Sequence, residues 1–320
     1  MSILAERLTA QLLAGPPARD PVAVCERLLA VQGQDPRGFR LAVRARTEGV
    51  RASDVERALN ERALVVTWLN RGTLHLVRAE DLPWLHALTT PQLETGVLRR
   101  LAQEGIADPE GTVAKVERAL ANDGPLTRDQ LAERLGHTGQ GMPQVLFLAS
   151  LRAGVVRGPM RGKQHAYVLA RDWLGERPRV DRDAALAELA RRYLAGHAPA
   201  TDRDLAKWAG IPLRDARAGL AAAGEAPRVE AAPLPPPKLL GAFDPVLLGW
   251  QSRDDIVGPH RDRILRGGMF SPFALADGRA VATWGLRGGK LTIEPFERLD
   301  ARTGEALRED AVEVRHFLEG

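Results

Sequence analysis

Three helix-start signals are spread along this chain: Ser53 three residues before Glu56, Thr127 before Gln130, and Thr201 before Asp204. In such a box the hydroxyl accepts a backbone N–H three residues on, and the later side chain reaches back, so each signal marks where a helix must begin. Around Thr127 the pattern predicts a helix over 112–121, a turn at Asp123-Gly124-Pro125, a helix to Leu135 ended by Gly136, and a helix over 142–152 stopped by Gly154. A strand at 155–157, a loose glycine turn at 158–162 and a return strand at 165–169 complete the unit.

The same order is repeated on either side. At the amino end, helices are expected over 5–13, 22–31 and from Ser53, then strands over 65–69 and 73–77 joined by the tight turn Asn70-Arg71-Gly72. Later come a helix over 184–194, a second from the Thr201 box to a turn at Gly210-Ile211-Pro212, and a third over 213–223. Helices followed by a hairpin are the order of a winged helix. The expectation is an α+β, mainly helical chain of three tandem winged-helix modules, over 1–95, 96–180 and 181–320, forming a curved DNA-binding body. Pro233 to Pro237 form a stiff linker, and strands over 280–286 and 290–296 about Gly288-Gly289 give the carboxyl end a strand-rich elaboration. The apolar stretch around Asp244-Pro245 reads as a buried turn.

Composition narrows the function classes. The formal charge is +4, and the cations are almost all arginine, whose planar fork suits phosphate. Between Leu151 and Arg171 stand Arg152, Arg157, Arg161, Lys163 and Arg171 with no acidic residue, a local positive potential. The single Cys25 excludes a disulfide framework and a thiolate metal cluster. No apolar run reaches the length of a membrane span, so a cytoplasmic protein with no membrane partner is expected. His-Glu-x-x-His, phosphate-loop and nucleophile-elbow motifs are missing, which argues against a metalloenzyme or an acyl hydrolase.

One short segment carries chemistry. Val24, Leu28 and Val31 mark a buried helix face, which Gly33 is expected to terminate, and Pro36 pushes Asp35 toward an extended conformation. Past a helix end, residues two apart project to one side, so Gln32 and Gln34 either form a paired amide site or cap the helix end and face solvent.

Four strings in order now matter: Val31-Gln32-Gly33-Gln34, then Arg71-Gly72-Thr73-Leu74-His75-Leu76-Val77, then Leu239-Leu240-Gly241-Ala242-Phe243-Asp244-Pro245, and Thr283-Trp284 with Glu294-Pro295-Phe296. Together they resemble the AlkZ-like winged-helix DNA glycosylases. The resemblance implies that Gln32 and Gln34 are the catalytic pair, with Gly33 departing from the family's usual aliphatic residue. It implies as partner double-stranded DNA containing alkylated purines.

An N7-alkylated purine is already cationic and leaves its sugar readily, so orientation of water and stabilisation of an oxocarbenium-like sugar can suffice. Asp35 is the rival base, although the position before Pro36 equally suits a turn. Neither Lys115 nor Lys163 has reason to lie near the amides, so a monofunctional enzyme without metal or cofactor is expected. His75 is either a hydrogen-bonded structural group or catalytic support. Arg71 shares its strand face and suits phosphate or fold contacts. Arg157, Arg161, Lys163, Gln164 and His165 cluster at the second hairpin, and Arg261 and Arg263 lie in a basic loop with His260 and Arg266; these are the expected DNA contacts. The six tryptophans read as core. With no dimer seam apparent, a monomer is expected, and the competing reading is a non-catalytic winged-helix DNA-binding regulator.

Overall fold

The computed structural model describes residues 3–136, 141–162, 164–225 and 227–320. The chain is a mixed α/β protein that divides into two compact units: residues 1–57 with 186–320, and residues 58–185.

The second unit is built on antiparallel strands. Leu64–Leu69 and Thr73–Arg78 form a hairpin in the expected register, Leu69 opposite Thr73 and Val66 opposite Leu76. Arg71 (φ 57°) and Gly72 (φ 74°) both adopt the left-handed conformation that lets so short a connection follow the strand twist. The helices Pro109–Asp123, Arg128–Leu135 and Gly141–Leu151 lead to a second hairpin, Val155–Arg161 with Gln164–Leu169. The short strand Leu126–Thr127 pairs with that hairpin's second strand. The Thr127–Gln130 box is formed on both sides, and Gly136 closes its helix at φ 65°. Leu101, Val116, Leu131, Leu146 and Val155 pack into one core beneath these elements.

This hairpin corrects the expected wing. The first strand continues through the glycine stretch to Arg161 and bulges between Arg157 and Met160, so no loose apex spans 158–162. Val168 fills the space beside Gly158, where a Cβ would meet its side chain at 2.6 Å. The left-handed residue after the preceding helix is Ala153 (φ 65°), one position before Gly154.

The helices Arg182–His197, most of which belongs to the first unit, Asp202–Ala209 and Leu213–Ala223 follow the expected order, with the Thr201–Asp204 box complete. Four antiparallel strands, Lys238–Leu240, Phe273–Ala276, Arg279–Arg287 and Lys290–Pro295, make that unit's sheet. Gly288 (φ 55°) and Gly289 (φ 77°) form the turn of the last hairpin.

Several expectations fail here. The helix Pro21–Leu28 stops at Leu29, which takes φ 65° with its side chain fully buried; Gly33 is not the stop. Burying a leucine is worth about 2 kcal/mol, enough to hold a left-handed residue that costs roughly that much. A second helix, Pro36–Arg44, occupies a stretch with no expected element. Ser53 lies inside the helix Ala52–Asn60, whose start is held instead by Asp54 accepting from Arg51 N–H at 2.7 Å; Glu56 turns to Arg40. The basic loop contains a short helix, Arg261–Ile264, and the strand-rich end closes with the 19-residue helix Ala301–Glu319. No helix among the described residues is long and apolar enough to cross a membrane.

Candidate active site

The amide segment hangs between two capped helices. Asp20 caps the first, accepting from Ala23 N–H at 2.7 Å. After Leu29 turns the chain, Val31 and Gln32 are extended, and Asp35 caps the next helix by accepting from Gly38 N–H at 2.7 Å. One oxygen of the nearest carboxylate is thus committed to a helix end. Gln32 is 6 % exposed, whereas Gln34 is exposed to solvent. A shielded amide beside a solvent-facing one can hold a water molecule between donor and acceptor atoms without a formal charge.

The helix after the amides is pinned from behind. A Cβ on Gly38 would overlap the Ala242 carbonyl oxygen, and one on Gly241 would sit 2.8 Å from the Gly38 oxygen. Two glycines let the helix start and the segment around Phe243 touch backbone to backbone. Farther along the same helix, Arg44 donates to both Asp310 oxygens at 3.0 and 2.9 Å and to the Leu239 carbonyl at 3.0 Å. Just past its end, Arg46 donates to both oxygens of Asp244, at 2.9 and 2.8 Å, and to the Gln11 carbonyl at 2.8 Å. The Trp284 indole N–H donates to the Leu240 carbonyl at 2.8 Å. The Gly241-to-Pro245 string is therefore a scaffold for the amide segment, with Asp244 its buried anchor.

In the other unit, His75 is 2 % exposed. Its Nδ1–H donates to the Thr73 carbonyl at 3.0 Å, which leaves Nε2 as an acceptor. Burial, then the nearby Arg71 charge, against the opposing Thr73 hydrogen bond, push its pKa down to about 3, so the imidazole is neutral at physiological pH. Arg71 is half-buried in the turn.

The expected DNA contacts are placed unevenly. Arg157 lies over the Trp68 and Tyr167 rings, 5.5 and 5.9 Å from their centroids, and His165 is buried with Nδ1 3.2 Å from the Gly158 carbonyl. Arg161 and Gln164 are exposed, the latter donating to Asp129 at 2.7 Å. Lys163 lies outside the described residues. Arg261 and Arg263 are exposed in the first unit.

Arg263 belongs to a feature that sequence reading missed. A cavity of about 520 Å³ is lined by Arg263, Arg266, Arg287 and Lys290, with Glu294 the one carboxylate and Ser271, Thr283 and Thr292 adding hydroxyls. The available signal was Arg287 and Lys290 flanking the Gly288-Gly289 turn, which puts two cations at an exposed hairpin tip. No cluster of three or more His, Cys, Asp or Glu suited to a metal ion occurs among the described residues.

Comparison with known proteins first defines the fold. The solved structure of the Streptomyces sahachiroi DNA glycosylase AlkZ superposes with a TM-score of 0.79 at 24 % identity, covering 98 % of this chain and 95 % of that one. The interstrand DNA cross-link repair glycosylase of Streptomyces sahachiroi is 28 % identical over an alignment 358 positions long, spanning 98 % of this chain and 94 % of the relative. The family model described as DNA glycosylase AlkZ-like matches residues 25–317. The chain belongs to the AlkZ-like DNA glycosylase family, whose named members hydrolyse N-glycosyl bonds in DNA.

Proposed function

We propose that this protein is a monofunctional glycosylase that hydrolyses the N-glycosidic bond of N7-alkylated purines in double-stranded DNA, bulky and crosslinked adducts included, as a monomer without a diffusible cofactor. The observation that carries it is the Gln32-Gly33-Gln34 segment, one amide shielded and one solvent-facing, held between two capped helices. Gln32 and Gln34 orient the attacking water and set amide oxygens against the developing sugar cation, an electrostatic contribution of a few kcal/mol per well-placed group. Water oxygen bonds to the sugar carbon, the carbon–nitrogen bond breaks with its electron pair going to the base, and the water proton leaves to solvent. The base departs neutral, having lost the charge its alkyl group imposed.

A neutral His75 supports a mechanism in which no imidazolium protonates the base. The cationic cavity at the last hairpin, with Arg261 beside it in sequence and Arg161 and Gln164 at the other hairpin, supports duplex binding through phosphates. The name of the Streptomyces relative supports the inclusion of crosslinked adducts. The element order also supports three winged-helix modules over 1–95, 96–180 and 181–320, clearest in the helix–strand–helix–helix–hairpin run from Pro109 to Leu169.

The test is incubation of purified protein with duplex DNA carrying N7-alkylguanine, followed by quantification of released base and alkali-sensitive abasic sites. Release by the unaltered protein, lost in Gln32→Ala and Gln34→Ala while duplex affinity persists, is the expected result. Binding without release over small and bulky adducts would leave the regulator reading in its place.

A further inference from the structure

The first residue after Pro36, Arg37, stands three positions from Gln34, and its exposed guanidinium reaches across to the last hairpin. There its Nη1 donates to the Leu286 carbonyl at 3.3 Å. Leu286 precedes Arg287, which with Lys290 lines the cationic cavity. The same hairpin strand is tied a second time to the amide segment: Trp284 holds the Leu240 carbonyl, and the neighbouring Gly241 rests on Gly38. Both links end within the first turn of the helix that Asp35 caps.

We infer that Arg37 is a positioning residue for base excision: it grips a backbone phosphate of the bound strand while holding the hairpin, and so sets how closely the scissile sugar approaches Gln32 and Gln34. The inference rests on the glycosylase reading. Three observations carry it. Arg37 makes no other hydrogen bond or ion pair among the described residues, so its remaining donors are available to phosphate oxygens, which a guanidinium fork matches. It stands three residues from Gln34 and is hydrogen-bonded to the residue that precedes Arg287, a lining residue of the cationic cavity. It is also joined to the hairpin through one Nη of a planar fork that fixes the direction of its other donors, a geometry that lysine, a point charge on a flexible stem, does not impose.

Positioning and simple phosphate attraction differ in what they change. A phosphate contact that only adds affinity raises Kd when it is removed and leaves the rate at saturation untouched; loss of a residue that sets depth lowers the rate on DNA already bound. The experiment measures single-turnover release of N7-methylguanine from a duplex at saturating protein, with duplex affinity by fluorescence anisotropy, for the unaltered protein, Arg37→Ala, Arg37→Lys, Lys290→Ala and the Arg37→Ala/Lys290→Ala pair. Arg37 is exposed, and unchanged thermal melting establishes that the variants fold.

Arg37→Ala is expected to slow release at saturation by about tenfold to a hundredfold, the scale of a displacement near 1 Å, with Kd changed by less than about fivefold. Arg37→Lys should restore affinity but not rate, and the paired variant should lose less than the product of the single losses because both act on one linkage. A rate at saturation equal to that of the unaltered protein, full rescue by lysine, or multiplicative losses would each overturn the role given to Arg37. No release by the unaltered protein would overturn the glycosylase reading and this inference together, and is distinguished by that control alone.

Discussion

Arg46 and Asp244, 198 positions apart in sequence, meet side on with both side chains fully buried, through parallel hydrogen bonds of 2.9 and 2.8 Å. The pair is closed on every side: Arg46 also donates to the Gln11 and Ala42 carbonyls, and Asp244 accepts from Val246 N–H at 3.0 Å. A buried ion pair is not in itself a large source of stability, because desolvation of both charges offsets their attraction. Its consequence is registration. Only one placement of the Phe243 segment against the helix Pro36–Arg44 satisfies both groups, and that placement sets the amides.

Removing one partner should therefore be costly and removing both should not. Asp244→Ala leaves a buried guanidinium uncompensated and is expected to lower unfolding stability by about 3–5 kcal/mol, read as a shift of the urea midpoint. Arg46→Met with Asp244→Leu should cost less than either single change. A double variant as unstable as the sum of the singles would show no coupling between the two groups and would contradict their pairing as a unit.

Gly38 tests the scaffold at its closest point. Gly38→Ala must push the helix start away from the Ala242 carbonyl, and an overpacked contact of this kind costs about 1–3 kcal/mol. Base release should fall more than stability, since the displaced turn carries Asp35 and follows Gln34 directly. Gly96, exposed on the helix Glu94–Gln103 with open space at its Cβ, is the control. Alanine there should stabilise by about 0.5–1 kcal/mol and leave release unchanged.

Three of the buried histidines, His75, His86 and His197, give acid lability. Burial first of all lowers the pKa of His75 and His197 to about 3 and that of His86 to about 4, from an ordinary 6.5. His197 is enclosed by Tyr193, Trp208 and Trp250, and its Nε2 has no hydrogen-bond partner among the described residues. Below pH 6.5 the unfolded chain binds protons at these positions that the folded chain refuses, so stability falls with falling pH until the folded-state values near 3 to 4 are reached. Melting temperature measured from about pH 7.5 to about pH 4.5 should drop continuously, and the drop should be shallower in His197→Phe. A melting temperature constant down to about pH 5 would contradict the buried neutral state of all three.

Local chemistry decided much of this molecule. The Thr127 and Thr201 boxes form as written because each is satisfied by atoms three residues apart, whatever surrounds them. Hairpins at 70–72 and 288–289 follow from residues that accept positive φ. The Gln32-Gly33-Gln34 string was visible for the same reason, as was the cluster of cations before Arg171. Tertiary structure decided everything that depends on partners distant in sequence. Leu29 holds a left-handed conformation only because the core receives its side chain, and the helix Pro36–Arg44 forms around arginines whose charges are answered by Glu56, Asp310 and, just beyond its end, Asp244. Arg157 and His165, basic by sequence, are drawn inward by aromatic rings and a carbonyl, whereas Arg37, unremarked in sequence, is brought to the hairpin. Hydrogen-bond patterns within four residues are encoded locally; which charge is buried, and beside what, is settled only when segments distant in the chain exclude water between them.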